Sequence, residues 1–416
     1  MDTEFNLYDP YDRATTLNPF PVYQWLRDHE PAYYNAQRDF WALSRHADVV
    51  AAHADPETFS SAGGVTLEGL EKGSGNLVVM DPPEHRDHRK PVNGLFTARR
   101  IASLEGFVRS RASALLDAAG DAGEFDVVTD FSLKLPLEVV AELVGIPAEL
   151  LPQIHELSNR VLARSGPDDP AGLDDMMTAG AELFCLYLDL VRERREQPPR
   201  DDAIAVLLTT EVPDTDSGTA RRLSDEEVAM RFLELGLAGH ETVAKLIPNA
   251  VVGLYWYPEQ RRHLVDHPED MPNAVEEFLR WDPPSHLQGR TLTRDVDLHG
   301  RTLPAGSRVM LLTAAASHDD RVYEYPELLD IHRKIRKQLA FGYGVHACLG
   351  AALARMETRI ALEELLKRYP DYEIDGSRAV RKVHSNVRGL SSLPLLTTRT
   401  HRSPARSTRA VAAAGS

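Results

Sequence analysis

Residues 224–257 constrain the fold of this chain more than any other segment. They open with Ser224-Asp225-Glu226-Glu227. This is an N-cap serine, an acidic first turn and a glutamate three positions on, the pattern of a capping box. Helical character then runs to about Tyr257, before Pro258, with Pro248 inside it as the expected site of a kink. At about 1.5 Å rise per residue such a helix is roughly 50 Å long. A rod of that length has to cross the molecule and be buried along much of its length.

The flanking segments agree with a mostly α class. Pro19 to His29 reads as a helix start, Phe40 to Arg45 as a strand, and the glycines at 63, 64, 69, 73 and 75 as a loose loop. From Ile101 to about Gln197 apolar residues recur at helical spacing, as in Leu137, Val140, Val144 and Leu183, Leu186, Leu190. Further helices are predicted over Met271–Trp281 and from near Leu349 through Tyr369, with short strands between Thr291 and Leu312. No repeat at a solenoid period is present.

Composition narrows the function classes. The 416 residues carry a net charge of −16 and are 43% hydrophobic and 26% charged. That balance supports a sizeable core and argues against nucleic acid as a partner, which calls for a basic footprint. No apolar run approaches the roughly 18–20 residues of a membrane span. The acidic, polar start MDTEFNLYDPYD has no secretory character. The two cysteines, Cys185 and Cys348, form no disulfide framework, which fits a reducing cytoplasm. From Thr397 to Ser416 the tail has four arginines, no acid and no apolar periodicity, and reads as disordered. Eight lysines out of 47 basic residues hint at a GC-rich bacterial genome.

Chemistry concentrates in FGYGVHACLG, Phe341 to Gly350, directly before a helical stretch. A cysteine at that junction meets free backbone N–H groups and the helix dipole, which favour negative sulfur. A thiolate there can serve as nucleophile, redox sensor or metal ligand, and a small buried hydrophobe is the ordinary alternative. Cys185, within LFCLYLDL, is assigned to that ordinary packing role.

The pattern F-G-x-G-x-H-x-C-x-G matches, at every defining position, the heme-binding loop of the cytochromes P-450. From about residue 10 to 396 the chain resembles a soluble bacterial member of that family. The resemblance implies one mostly α domain over residues 1–396, with a small β portion and the tail 397–416 outside it. It implies heme b (iron protoporphyrin IX), with Cys348 as the metal ligand and Phe341, Gly342 and Gly350 in the cofactor loop. His85 and Arg89, one helical turn apart in MDPPEHRDHR, Arg290 and His346 then resemble the residues that hold the heme propionates; arginine suits a carboxylate through bidentate bonds.

Within the long helix, AGHET places Glu241 beside Thr242. An acid next to an alcohol in a helix interior is costly unless something uses it. In the resembling family this pair relays protons during oxygen activation, and Gly239 permits a local widening of the helix. Val243 stands where a second hydroxyl is common, a departure that bears on pocket shape. AVEEFLR matches the family's E-x-x-R, so Glu277 and Arg280 are expected to pair and to be joined by Arg333 in a structural ion cluster. Substrate contacts are expected from Glu234, Ala238 and Gly239 on the helix, from Ser285, His286 and Gln288, and from Leu390. Glu234 shares a helical face with Ala238 and Thr242, so a carboxylate toward a basic or hydroxylated substrate is one expectation, and a pairing with an arginine the other.

The basic cluster Arg333, Lys334, Arg336 and Lys337 precedes the cysteine loop in an otherwise acidic chain. It reads as a docking patch for a ferredoxin-type donor, served by its reductase, with Arg333 turned inward. The expected protein is thus a cytoplasmic, monomeric monooxygenase. It uses O2 to hydroxylate a small organic substrate, within bacterial secondary metabolism by family analogy. The rivals are a non-catalytic heme carrier or sensor and a Cys348–His346 nucleophile enzyme. The second lacks an orienting third group.

Overall fold

Ser224 caps the long helix as its sequence requires. Its hydroxyl accepts from the Glu227 amide at 3.2 Å, and the Glu227 carboxylate accepts from the Ser224 amide at 2.8 Å. In the computed structural model the helix spans Asp225–Trp256, 32 residues, and continues through Pro248. The structure describes residues 7–69, 72–119, 123–163, 169–198, 202–213 and 219–397. The tail expected to be disordered lies, beyond Thr397, outside the described residues.

Proline at 248 has no N–H to give the carbonyl four residues back, that of Ala244. A side chain from elsewhere replaces it: the buried Ser132 hydroxyl donates to the Ala244 oxygen at 2.9 Å. Ser132 closes a turn of π-helix, Val127–Ser132, packed against the long helix. The expected kink therefore leaves the helix intact.

Two cores share this rod. Its C-terminal part, Val243 to Leu254, is buried at every position and packs with the helices Ala98–Ala119, Met271–Trp281 and Ala351–Arg368. Its N-terminal part contributes Val228, Ala229 and Phe232 to a second core with Lys134–Val144 and Pro170–Glu196. On Pro170–Glu196 the buried residues include Leu183, Tyr187 and Leu190, and Cys185 is exposed. The packing role assigned to Cys185 is therefore corrected. Two positions past Leu183 on a helix is about 200° around the axis, which turns the thiol to the outer face.

A five-stranded sheet sits beside the helices, in the order Ala32–Asn35, Phe40–Leu43, Arg308–Leu311, Gln288–Leu292, Phe59–Ser60. Phe40–Leu43 and Arg308–Leu311 run parallel, and Val309 stands opposite Arg290 in the antiparallel pair. A second sheet joins Glu124–Asp126 to Pro394–Leu396 and Glu373–Ile374. That first strand interrupts the region read as continuously helical, because its partner lies near the other end of the chain.

The Met271–Trp281 helix carries Glu277 and Arg280 into full burial. Two nitrogens of Arg280 meet the two Glu277 oxygens at 2.7 Å each. Arg333 joins at 3.3 Å, and the Asp330 amide donates to the same carboxylate at 3.0 Å. Arg280 also donates to the Pro326 carbonyl at 2.6 Å and to those of Ser317 and Leu328. The cluster holds the irregular segment 317–333 that leads to the cysteine loop. Among the described residues no helix is long and apolar enough to cross a membrane.

Candidate active site

The cysteine loop is shaped by two glycines in the left-handed region, Gly342 at φ 66° and Gly344 at φ 72°. Gly344 is doubly required, because a Cβ there would collide with the His53 carbonyl. The Cys348 amide donates to the Phe341 carbonyl at 2.8 Å, closing the loop, and the Arg355 guanidinium lies 4.5 Å from the Phe341 ring. Cys348 then precedes the Ala351–Arg368 helix. Burial pushes its thiol pKa up, while the Gly350 amide, Arg89 and Arg355 pull it down. The Gly350 amide at the helix start acts in the expected direction, toward thiolate, but burial outweighs it. Cys348 nonetheless presents open surface. Both observations hold when a residue deep in the molecule lines an opening.

Ala238 faces open space as well, although it stands mid-way along the central helix, and Thr242, one turn on, is half-buried. The Thr242 hydroxyl makes a long 3.4 Å bond to the Ala238 carbonyl. Glu241 is buried, its Oε1 lacks a hydrogen bond, and Lys382 Nζ stands 3.5 Å away. One turn further, Lys245 donates to the Leu390 carbonyl at 3.2 Å, its pKa lowered by burial to about 8. The helix is regular α through Gly239. A Cβ there would stand 2.6 Å from Val140, so the glycine lets the Lys134–Val144 helix approach.

A second convergence surrounds the loop. The His85 and His346 rings lie with centroids 4.1 Å apart, tilted by 43°, and Arg89 donates to the Ala347 carbonyl. Arg290, buried on its strand, donates to the Gly289 carbonyl at 2.6 Å and approaches His53 at 3.5 Å. His53 had no sequence signal, being brought here by the helix His46–Ala54. Burial and mutual repulsion push the imidazoles down, His85 to about 4 and His53 and His346 to about 3, and burial lowers Arg290 to about 10. The Asp81 carboxylate acts on both His85 and Arg290, and it already accepts from Ser60 and from the Ser61 amide at 2.9 Å. The Nε2 atoms of His53, His85 and His346 are buried without partners. Five basic groups collected without a matching anion form a receptor for carboxylates. A thiol beside such a receptor fits heme b, whose iron takes the sulfur and whose propionates take the basic groups.

Several residues expected at the substrate are engaged by partners within the protein. Glu234 pairs with Arg231 at 2.7 Å and accepts from the Leu77 amide, while Arg231 donates to the Gly75 carbonyl at 3.0 Å. The pair clamps the glycine-rich loop to the central helix, so of the two expectations for Glu234 the arginine partner holds. His286 is buried against Phe20 and bonded to the Tyr23 hydroxyl at 3.1 Å. Ser285 pairs with Asn386 and accepts from Gln288 at 2.9 Å, and Gln288 lies beside His53. Leu390 is buried in the main core. Leu77, Tyr23 and Asn386, which hold Glu234, His286 and Ser285, are far away in sequence, and helical or strand spacing does not reveal them.

Comparison with known proteins agrees with this geometry. The Cytochrome P450 family model matches residues 269–394. Cytochrome P450 130 of Mycobacterium tuberculosis is 38% identical, over 96% of this chain and 99% of its own. The vitamin D(3) 25-hydroxylase of Pseudonocardia autotrophica is 36% identical, over 93% and 96%. A mutant of P450 EryK solved with erythromycin B superposes with TM-score 0.83 at 34% identity, covering 94% of this chain and 99% of that one. With its cysteine loop, its basic receptor and these relatives, the chain belongs to the cytochrome P450 family of heme-thiolate monooxygenases.

Proposed function

We propose that the chain hydroxylates a small organic substrate in bacterial secondary metabolism, in the cytoplasm and as a monomer, drawing electrons from a ferredoxin and its reductase. The bound heme supplies the redox chemistry that splits O2, one atom going to substrate and the other to water. Cys348 holds the cofactor from one side, and His53, His85, Arg89, Arg290 and His346 hold its carboxylates.

The single observation behind a catalytic reading is the Glu241–Thr242 pair beside the open Ala238 face. Glu241 Oε1, buried without a hydrogen bond and 3.5 Å from Lys382 Nζ, takes a proton on that side, and rotation of the carboxyl hands it toward Thr242 Oγ1. The threonine hydroxyl, weakly tied to the Ala238 carbonyl, orients that proton toward the opening. A carrier has no use for such a relay. The hydroxylase among the relatives and the neighbour solved with erythromycin B support oxidation of an elaborated organic molecule.

Lys334, Arg336 and Lys337 are exposed, while Arg333 turns inward to Glu277. Three exposed cations on the cysteine-loop side of an acidic protein suit an acidic electron donor. The test is turnover of candidate substrates, found by a heme spin-state screen, with O2, ferredoxin and reductase. Oxygenated product, and reduction that slows with added salt, are the expected results. A reduced, carbon-monoxide-bound protein without the red-shifted thiolate Soret band would refute the Cys348 assignment.

A further inference from the structure

Away from the active site, His263, Asp270 and His332 converge from three separate elements. His263 lies on the helix Pro258–Asp266, and Asp270 ends the short turn Pro268–Asp270. His332 comes from the segment that carries Arg333. One ligand atom from each of the three lies within 4.8 Å of the others. His263 Nε2 is 2.7 Å from Asp270 Oδ2, and the His263 and His332 rings stand 4.7 Å apart at 83°. A third imidazole, His267, lies 4.7 Å from His263.

The position of His332 is set by its neighbours rather than by solvent. The Ile331 amide donates to Gln260 Oε1 at 2.9 Å, and Gln260 Nε2 donates to the Leu329 carbonyl at 2.7 Å. Asn273 Nδ2 donates to the carbonyls of Ile331 and Arg333, on either side of the histidine. The His332 amide donates to Asp330 at 3.0 Å. The hydrogen bond from His263 holds the Asp270 carboxyl below its usual range, with His263, His332 and His267 adding charge in the same direction.

Two imidazoles and a carboxylate are the donor set of a borderline divalent ion. Zinc bonds of about 2.0–2.1 Å put tetrahedral ligand atoms about 3.4 Å apart. That spacing is within reach of side-chain rotation alone, and water or His267 completes the coordination. His332 is exposed and the other two half-buried, so an ion can enter from solvent.

We propose that His263, Asp270 and His332 bind one zinc-class divalent cation, which staples the Arg333 segment to the helix pair ahead of Glu277 and Arg280. The ion sits one residue from Arg333 and two from Lys334, so it also steadies the base of the exposed cationic patch.

The test uses heme-loaded protein, treated with EDTA and titrated with ZnCl2 by calorimetry and thermal denaturation. One saturable site is expected, with Tm raised by roughly 3 K at a hundredfold excess over Kd. In His332→Ala and in Asp270→Asn the affinity is expected to fall at least tenfold, with the reduced carbon-monoxide spectrum unchanged as evidence of folding. Absence of saturable zinc binding, or wild-type affinity in both variants, would overturn the proposal.

Discussion

Replacing Ser132 with Ala tests how the central helix tolerates Pro248. Ser132 is fully buried, and its hydroxyl is the donor to the Ala244 carbonyl in place of the N–H that Pro248 lacks. The variant leaves a buried carbonyl without its partner, which costs about 1–3 kcal/mol. Removing the hydroxyl also removes a buried polar group, so the middle of that range, about 2 kcal/mol, is expected. With an unfolding entropy of about 2.1 cal/mol/K per residue, 416 residues give roughly 0.9 kcal/mol/K, and Tm should fall by roughly 2 K.

A double-mutant cycle makes the reasoning specific. Pro248→Ala restores an N–H at position 248, so the Ala244 carbonyl regains a partner within the helix. In that background Ser132→Ala should cost less than half of its effect in the native chain, a coupling of about 1 kcal/mol. Thermal denaturation of the four heme-loaded proteins, checked by urea titration, reads the cycle directly. Equal losses in the two backgrounds would refute the idea that Ser132 substitutes for the missing amide.

Other outcomes follow from the same geometry. Glu277→Gln leaves the buried guanidinium of Arg280 without its counter-charge and should destabilise by about 3–5 kcal/mol, seen as poor yield of heme-loaded protein or a strongly lowered urea midpoint. Glu241→Ala should cut product formation about a hundredfold while leaving the carbon-monoxide spectrum intact; undiminished turnover would remove Glu241 from proton delivery. Arg290→Leu should speed heme transfer to apomyoglobin about tenfold or more, through loss of a charge-assisted partner for a propionate. His286 and His318 are held neutral well below their ordinary pKa, first by burial and next by Arg388 and Arg280 respectively. The unfolded chain then binds protons near pH 6.5 that the native chain refuses, so unfolding free energy is level above pH 7 and falls as pH drops from about 6.5 to 5. His286→Gln should flatten that slope in denaturant titrations across this range.

Much of this protein is legible in its sequence. The capping box at Ser224, the helix Met271–Trp281 and the loop glycines are local features. Hydrogen bonds within one turn, or a positive φ, demand particular residues at adjacent positions, and so the sequence alone announced them. The E-x-x-R pair belongs to the same class, since its spacing already puts both side chains on one helical face. Cys348 was legible because its motif is contiguous.

Tertiary structure decided what each side chain meets. His53 and Arg290 come together although they stand 237 positions apart, Lys382 approaches Glu241 from a distant segment, and Ser132 completes the carbonyl of Ala244. Glu234 shares a helical face with Ala238 and Thr242, yet its carboxylate goes to Arg231 and the Leu77 amide, not to a ligand. Periodicity specifies the direction in which a residue points. The energy of a buried charge depends on which partner stands there, and that is set by how the helices and the sheet pack.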